Sequence, residues 1–368
     1  MSEQPIRYAV VGAGHITQAA VLPAFEQAQN ATLVAVFSDD QRKREELSKL
    51  YDLEHALPYE DYDDFLGKGL VDAVYIALPN HLHCDYTVRA ARCGVHVLCE
   101  KPMAVDERQC EQMMRACEEH CVKLMIAYRL HFDPANLEAI QIVASGTLGE
   151  ARLFESVFSL DVQPGNIRLS PLSKGGGSVY DLGVYCINGA RYLFRDEPTE
   201  VIASSSSRDD PRFEHCDEMT TAILRFPEER IATFTSSFGA HDVSRYSVVG
   251  TRGRLVMEPA YEYAVGLHYR FENDDGSGER SFEKHDQFGP QLVYFSDCIL
   301  RDTEPEPGGL TGLIDVHIVR SIYQSAHEGR PVRLLPIQKT KRPDLSQAIT
   351  RPGIDKPPEV RASGPRGD

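Results

Sequence analysis

Two residues able to move a proton stand four apart in the stretch Gly175-Gly176-Gly177-Ser178-Val179-Tyr180-Asp181-Leu182-Gly183-Val184-Tyr185. Helical periodicity begins after Ser178, the expected N-cap, and continues through Leu193, so Asp181 and Tyr185 fall one turn apart on one face. An acid and a phenol pointing the same way suit acid-base chemistry at an alcohol or a carbonyl. They also suit the wet face of an ordinary amphipathic helix. The three glycines before them allow either close backbone approach to a bound molecule or a sharp bend into the helix. A cation of interest is Lys101 in Glu100-Lys101-Pro102-Met103, where Pro102 keeps the lysine out of helical angles at the end of a strand. A phenol with an ordinary pKa of about 10 is a poor base at neutral pH. A neighbouring ammonium would favour the phenolate and steady a developing alkoxide, with Asp181 orienting the substrate hydroxyl or the lysine.

The elements that must carry these groups start with a strand, Arg7 to Val11, followed by Gly12-Ala13-Gly14-His15-Ile16 and a helix from Ile16 to Gln27. Gly12 allows the tight turn, Gly14 lets backbone approach a pyrophosphate, and the helix start at His15 and Ile16 favours its negative charge. Thr17 stands where this fingerprint usually has a third small residue. The next strand, Thr32 to Phe37, ends in Ser38-Asp39-Asp40-Gln41-Arg42-Lys43-Arg44. A hydroxyl and cations there (Ser38, Arg42, Lys43, Arg44) favour the 2'-phosphate of NADP, whereas Asp39 and Asp40 favour the free ribose of NAD. A third strand, Val71 to Leu78, leads into Pro79-Asn80-His81-Leu82-His83, which places Asn80 and His83 where open parallel sheets bind ligands. His81 and His83 have no third ligand nearby, so no metal is expected. Val95 to Cys99 leads into Lys101, placing its ammonium beside the expected nicotinamide. Lys123 to Ala127 leads into Tyr128 and His131. Five alternations of strand and helix predict a doubly wound parallel sheet over residues 1–127.

From Ala151 the pattern changes to extended runs at Ala151–Leu160, Thr199–Ser205, Thr220–Phe226, Arg230–Phe238, Ser244–Gly250, Arg254–Glu258 and Leu267–Phe271, many of them alternating. They predict an α+β domain over 128–334 with a large, mostly antiparallel sheet, closed by a helix from Leu310 to Glu328. Arg168, in the loop before the Asp181 helix, would meet a substrate hydroxyl or a cofactor phosphate, or is merely solvated. Residues 335–368 turn to Pro, Lys, Arg and Asp without periodicity and are expected to form a mobile tail, or an arm around a partner subunit.

The net charge of -16 over 368 residues disfavours a nucleic-acid or anionic-membrane surface and points to a small-molecule partner. Nine cysteines at irregular spacing, with no CxxC pair, read as reduced thiols of a cytoplasmic protein. No run approaches the roughly 20 apolar residues needed to span a bilayer.

Four stretches in this order, VGAGHI at 11–16, PNHLH at 79–83, EKPM at 100–103 and GGGSVYDLGVYCINGARYL at 175–193, resemble the Gfo/Idh/MocA oxidoreductases. That family takes in glucose-fructose oxidoreductase, inositol dehydrogenase and rhizopine-catabolism proteins. The resemblance covers about residues 6 to 334. YRLHFDP and DLGVYCING are most similar to the glucose-fructose oxidoreductase and xylose dehydrogenase branch, and inositol dehydrogenases carry His where Tyr185 stands. The resemblance implies a Rossmann domain and hydride transfer between a sugar or polyol CH-OH carbon and NADP, or NAD. It implies Lys101, Asp181 and Tyr185 as the catalytic set and Tyr128 lining the sugar site. Gly12, Gly14, Ser38, Asn80, His83 and Glu100 would touch the nucleotide, in a homodimer or homotetramer. Thr17 and Asp39 depart from that branch. An NAD-dependent glycosidase and a cofactor-sensing regulator are the alternative readings. The short stretch before the first strand leads to the expectation of an exchangeable cofactor, unless the C-terminal tail acts as a clamp.

Overall fold

The computed structural model describes residues 4–335 and 337–367. They form two compact units. The first gathers the chain up to Arg129, Asp286–Leu313 and the chain from Thr350 onward; the second takes Leu130–His285 and Ile314–Ile349.

The first unit is built on six parallel strands: β1 (Ile6–Val11), β2 (Ala31–Phe37), β3 (His55–Leu57), β4 (Ala73–Ile76), β5 (His96–Cys99) and β6 (Leu124–Ile126), in the spatial order β3-β2-β1-β4-β5-β6. Tyr8, Ala9, Val10 and Val11 of β1 and all four residues of β4 are fully buried, which both faces of a parallel sheet require when helices cover them. The strand order reverses between β1 and β4, so the turns leaving these two strands flank the crevice where such sheets bind ligands. β3 was not anticipated; three half-buried residues at the sheet edge carry too little pattern to stand out. The helix Gly289–Leu300, also unanticipated, belongs with this unit and not with the span 128–334. It packs on β1, where its Ser296 hydroxyl meets the Tyr8 hydroxyl at 2.9 Å.

The second unit contains a nine-stranded sheet from β7 (Ala151–Ser159), β8 (Glu200–Ser206), β9 (Met219–Phe226), β10 (Arg230–Ser237), β11 (Val243–Gly250), β12 (Gly253–Met257), β13 (His268–Asn273), β14 (Gly276–Ser281) and β15 (Val332–Arg333). Their order is β14-β13-β12-β11-β7-β10-β9-β8-β15. All neighbours are antiparallel except β7 and β10. The helix Val184–Phe194 packs on β7. The seven strands expected from alternation are present within one or two residues of their predicted bounds; β14 and β15 are additional.

The C-terminal stretch differs from the expected mobile tail. Arg342 lies against Glu197 at 2.7 Å in the second unit. From Thr350 the chain packs on the first unit, where the Arg351 guanidinium donates to the Gln27 carbonyl at 3.0 Å. Polar side chains, not an apolar stripe, anchor it, so hydrophobic periodicity left no trace of the docking.

Candidate active site

In the first unit the chain leaves β1 through Gly12, whose φ is +104°. A Cβ there would lie 2.4 Å from the Ala77 carbonyl oxygen, so the turn can close against the end of β4 only with glycine. Gly14 is exposed, and a Cβ on it would meet nothing within 4 Å. The backbone is therefore open on this side, as approach of a pyrophosphate requires. His15 and Ile16 are half-buried at the start of the helical run 15–27, and Thr17 is fully buried. Gln18, also buried, donates to the Ala13 carbonyl at 2.9 Å and braces the turn.

At the end of β2 the two acids that argued for NAD have structural partners. The Asp40 carboxylate accepts from the backbone N–H groups of Arg42 and Lys43 at 3.0 and 3.2 Å, capping the helix Gln41–Leu50. Asp39 accepts from the Tyr59 N–H at 3.1 Å. Ser38 is buried beside them. Lys43 reaches back to the Ala13 carbonyl at 2.9 Å and so ties this turn to the glycine turn; burial lowers its pKa. Arg42 points along its helix to Glu46 at 2.6 Å.

Beyond β4, Asn80 opens a short 3-10 turn and is half-buried. His83 is not at the surface of the crevice. It is fully buried, with one ring nitrogen 2.9 Å from the Pro102 carbonyl and the other 2.8 Å from the Leu78 carbonyl, and burial lowers its pKa. The sequence position at a strand's end was read correctly, but the ring braces the turn that carries Lys101 and does not face a nucleotide. Burial pushes the Glu100 carboxyl up, opposed by the Tyr75 hydroxyl at 2.7 Å and by Lys101. Lys101 is half-buried, and its bond to Pro102 is cis. Tyr128, just after β6, is buried.

In the second unit the helical run 178–194 begins with a π turn at Val179–Gly183. Such turns are frequent at functional sites. Among residues 178–188 only Asp181 and Tyr185 escape full burial, so the acid and the phenol share the one partly exposed stripe of an otherwise buried segment. The Arg168 guanidinium donates to Asp181 at 2.7 Å. Burial works against the arginine's charge, but Asp181 outweighs it and the pKa is raised. Arg168 is thus neither merely solvated nor distant from the acid. Phe158 stands edge-on to the Tyr185 ring at 5.6 Å and Tyr261 lies at 5.8 Å.

Ser178 does not cap this helix. Its hydroxyl is buried and donates to Asp217, and its N–H donates to the same carboxylate at 3.2 Å. Asp217 also accepts from the Thr220 hydroxyl at 2.8 Å and the Tyr323 hydroxyl at 2.7 Å. A Cβ on Gly177, whose φ is +101°, would lie 2.5 Å from both Asp217 and Tyr323. Gly177 therefore serves the sharp bend, where Asp217 and Tyr323 come close. Sequence reasoning missed Asp217, Tyr323, Phe158 and Tyr261, which carry no motif and lie up to 145 positions from Ser178 in the chain. Among the described residues no group of three or more His, Cys, Asp or Glu side chains gathers as for a metal ion.

Residues 6–128 match the oxidoreductase family with an NAD-binding Rossmann fold known as Gfo/Idh/MocA, and residues 136–256 match that family's C-terminal domain. The chain is a Gfo/Idh/MocA oxidoreductase. It is 33% identical over 339 residues, covering 90% of this chain and 94% of the relative, to the D-xylose 1-dehydrogenase [NADP(+)] of Haloarcula marismortui. The aldose-aldose oxidoreductase of Caulobacter crescentus, solved in complex with glycerol, superimposes with a TM-score of 0.86 at 36% identity, covering 90% of this chain and all of that one. KijD10, a 3-ketoreductase from Actinomadura kijaniata solved with NADP and TDP-benzene, gives a TM-score of 0.80 at 26% identity, over 88% of this chain and 98% of that one. Among the described residues no helix is long and apolar enough to cross a membrane.

Proposed function

We propose that this oxidoreductase interconverts an aldose or related polyol and its oxidised product, using NADP in preference to NAD. The observation that carries the sugar reading is the Arg168–Asp181–Tyr185 stripe, an acid held by a guanidinium one turn from a partly exposed phenol. The NADP preference is supported by the engagement of Asp39 and Asp40 with backbone N–H groups, in a turn that also carries the Ser38 hydroxyl and the Lys43 ammonium. The relatives named above, an NADP-dependent xylose dehydrogenase among them, point the same way.

The glycine turn and the Ser38 to Lys43 turn would hold the dinucleotide, which when bound accepts hydride from a carbinol carbon or returns it to a carbonyl. The chain's own residues handle the proton. Tyr185 accepts the hydroxyl proton as the carbonyl forms, and returns it in the reverse direction. Lys101 favours the phenolate and steadies negative charge on the reacting oxygen. Asp181, held by Arg168, accepts a hydrogen bond from a second substrate hydroxyl and so orients the ring. Tyr128 is assigned to the sugar site, and Asn80 and Glu100 to the nicotinamide side. We further propose a cytoplasmic enzyme that self-associates through the nine-stranded sheet, where Leu153 and Met219 are exposed; light scattering of the purified protein tests this.

The decisive assay follows absorbance at 340 nm with a panel of aldoses and each cofactor. Tyr185→Phe and Lys101→Ala are each expected to lose at least ~100-fold in kcat, the typical worth of an acid-base group, with NADPH still bound. The double variant should lose far less than the product of the two, because both act on one proton. Full turnover in either single variant would refute the assignment. Consumption of a glycoside with no net change at 340 nm would favour a glycosidase.

A further inference from the structure

The C-terminal segment from Lys356 to Arg361 lies across the two turns assigned to the dinucleotide, all within the first unit. The Glu359 carboxylate meets the His15 ring at 2.8 Å and the Lys356 ammonium at 2.9 Å, with only 7% of its side chain exposed. Next to it, the Val360 N–H donates to the Gln18 side-chain oxygen at 2.7 Å, and the Gln18 amide donates back to the Val360 carbonyl at 3.1 Å. That amide also donates to Ala13 within the glycine turn. The following residue, Arg361, holds a positive φ of 47° and points its guanidinium to Asp40 at 3.4 Å, beside Lys43. A non-glycine residue keeps such backbone only where its surroundings enforce it. Three successive residues thus engage the pyrophosphate turn, the base of its helix and the ribose turn.

Two occupancies are conceivable for a segment docked here: one that blocks the site and one that closes over its ligand. The open space over Gly14 decides between them. With the segment in place, a Cβ on Gly14 still meets nothing within 4 Å, and Gly14 remains exposed. The segment lies beside the pyrophosphate approach, not in it. The Glu359 carboxylate is paired with the Lys356 ammonium and held at the His15 ring, while Arg361, 61% exposed, adds a cation at the turn where an adenosine 2'-phosphate belongs.

We propose that residues 356–361 form a clasp on the dinucleotide site, and that Arg361 is a ligand for the 2'-phosphate supplied from the far end of the chain. This rests on the dinucleotide assignment made above and extends it to cofactor retention. Arg361 strengthens binding of NADP(H) but not of NAD(H), and the Val360–Gln18 pair slows release of both.

The test measures binding and release, not turnover. NADPH and NADH fluorescence titrations give the dissociation constants, and a stopped-flow chase of bound NADPH by excess NADP gives the release rate. Arg361→Ala, a change at an exposed side chain, is expected to weaken NADPH about tenfold, the worth of one hydrogen bond to a charged group, and to leave NADH unchanged. Val360→Pro removes the N–H that Gln18 accepts and is expected to speed release of both cofactors at least tenfold. If Val360→Pro does not fold, Glu359→Gln, which weakens the contact to His15, reads the same release rate. Wild-type affinity and release in these variants overturn the clasp. Tighter binding in them overturns it too, because the segment would then be a plug. If the wild-type protein itself binds neither cofactor, the dinucleotide assignment fails, a result distinct from either.

Discussion

Gly12 and Asp217 do comparable work in different units: each shapes the turn that leads into a functional helix, one by lacking a side chain and the other by supplying one. At Gly12 the constraint is a carbonyl oxygen 2.4 Å from where a Cβ would stand, contributed by the neighbouring strand end. At Asp217 it is a single buried carboxylate that gathers the Ser178 N–H and the hydroxyls of Ser178, Thr220 and Tyr323. Both constraints are set by partners distant in the chain, but the glycine is marked by a local motif, whereas the buried acid and its partners are brought together by the fold alone.

The contrast can be broken most forcefully at Asp217. Asp217→Ala would leave one N–H and three hydroxyls without their acceptor and is expected to cost about 3 kcal/mol or more of stability. Denaturation by urea reads that loss, and turnover should fall with it while NADPH affinity stays near wild type. Gly12→Ala should show the reverse pattern. Strain at a positive φ and the clash with Ala77 are expected to cost about 2 kcal/mol, read chiefly as weaker NADPH binding in the fluorescence titration. Should either variant damage both functions equally, the division of labour between the units is wrong. Arg168→Ala is a smaller perturbation that leaves Asp181 without its guanidinium; kcat/KM for the sugar should drop roughly tenfold, about 1.4 kcal/mol, with KM taking most of the change.

The smallest effect sharpens the comparison through pH. The folded state holds His83 neutral, because burial lowers its pKa. The unfolded chain, titrating at roughly 6.5, binds a proton that the folded state refuses. Stability should therefore decline as pH falls below that value. In His83→Gln the decline should be shallower, and Tm measured for both proteins as pH falls checks it. An identical slope would show that His83 carries none of the acid sensitivity.

Much of the first unit was legible because its signals are local. A buried apolar run, a GxG turn and a helix appear in that order between residues 7 and 27, and the strand at residues 31–37 is apolar enough to be seen alone. The shared face of Asp181 and Tyr185 was legible through helical spacing, and Lys101 was singled out as a candidate by the resemblance of EKPM to a family. His83 was misread because position at a strand's end says where a residue begins, not whether its ring turns outward or into the core. Ser178 was misread because a serine before a helix is a good cap only where the N–H groups lack other partners, and here Asp217 takes both its N–H and its hydroxyl. Arg168 was left among alternatives until the loop brought it to Asp181. The C-terminal segment was expected to be a mobile tail, or an arm around a partner subunit, because Glu359 and Arg361 look like solvent-exposed charge until their partners His15 and Asp40, 344 and 321 positions away, are known.

Periodicity, glycine placement and the order of strand and helix determined the class of fold and the kind of cofactor, and marked the candidates for moving a proton. Those properties depend on neighbours within a few positions, which the chain itself keeps together. Only the tertiary structure decided that Asp39 and Asp40 serve the backbone, that His83 is a brace, that Asp217 anchors the helical run carrying Asp181 and Tyr185, and that the C-terminal stretch returns to the first turn. Each of these depends on which buried polar groups meet across long separations, and that is selected by the packing of the whole domain rather than by any local spacing.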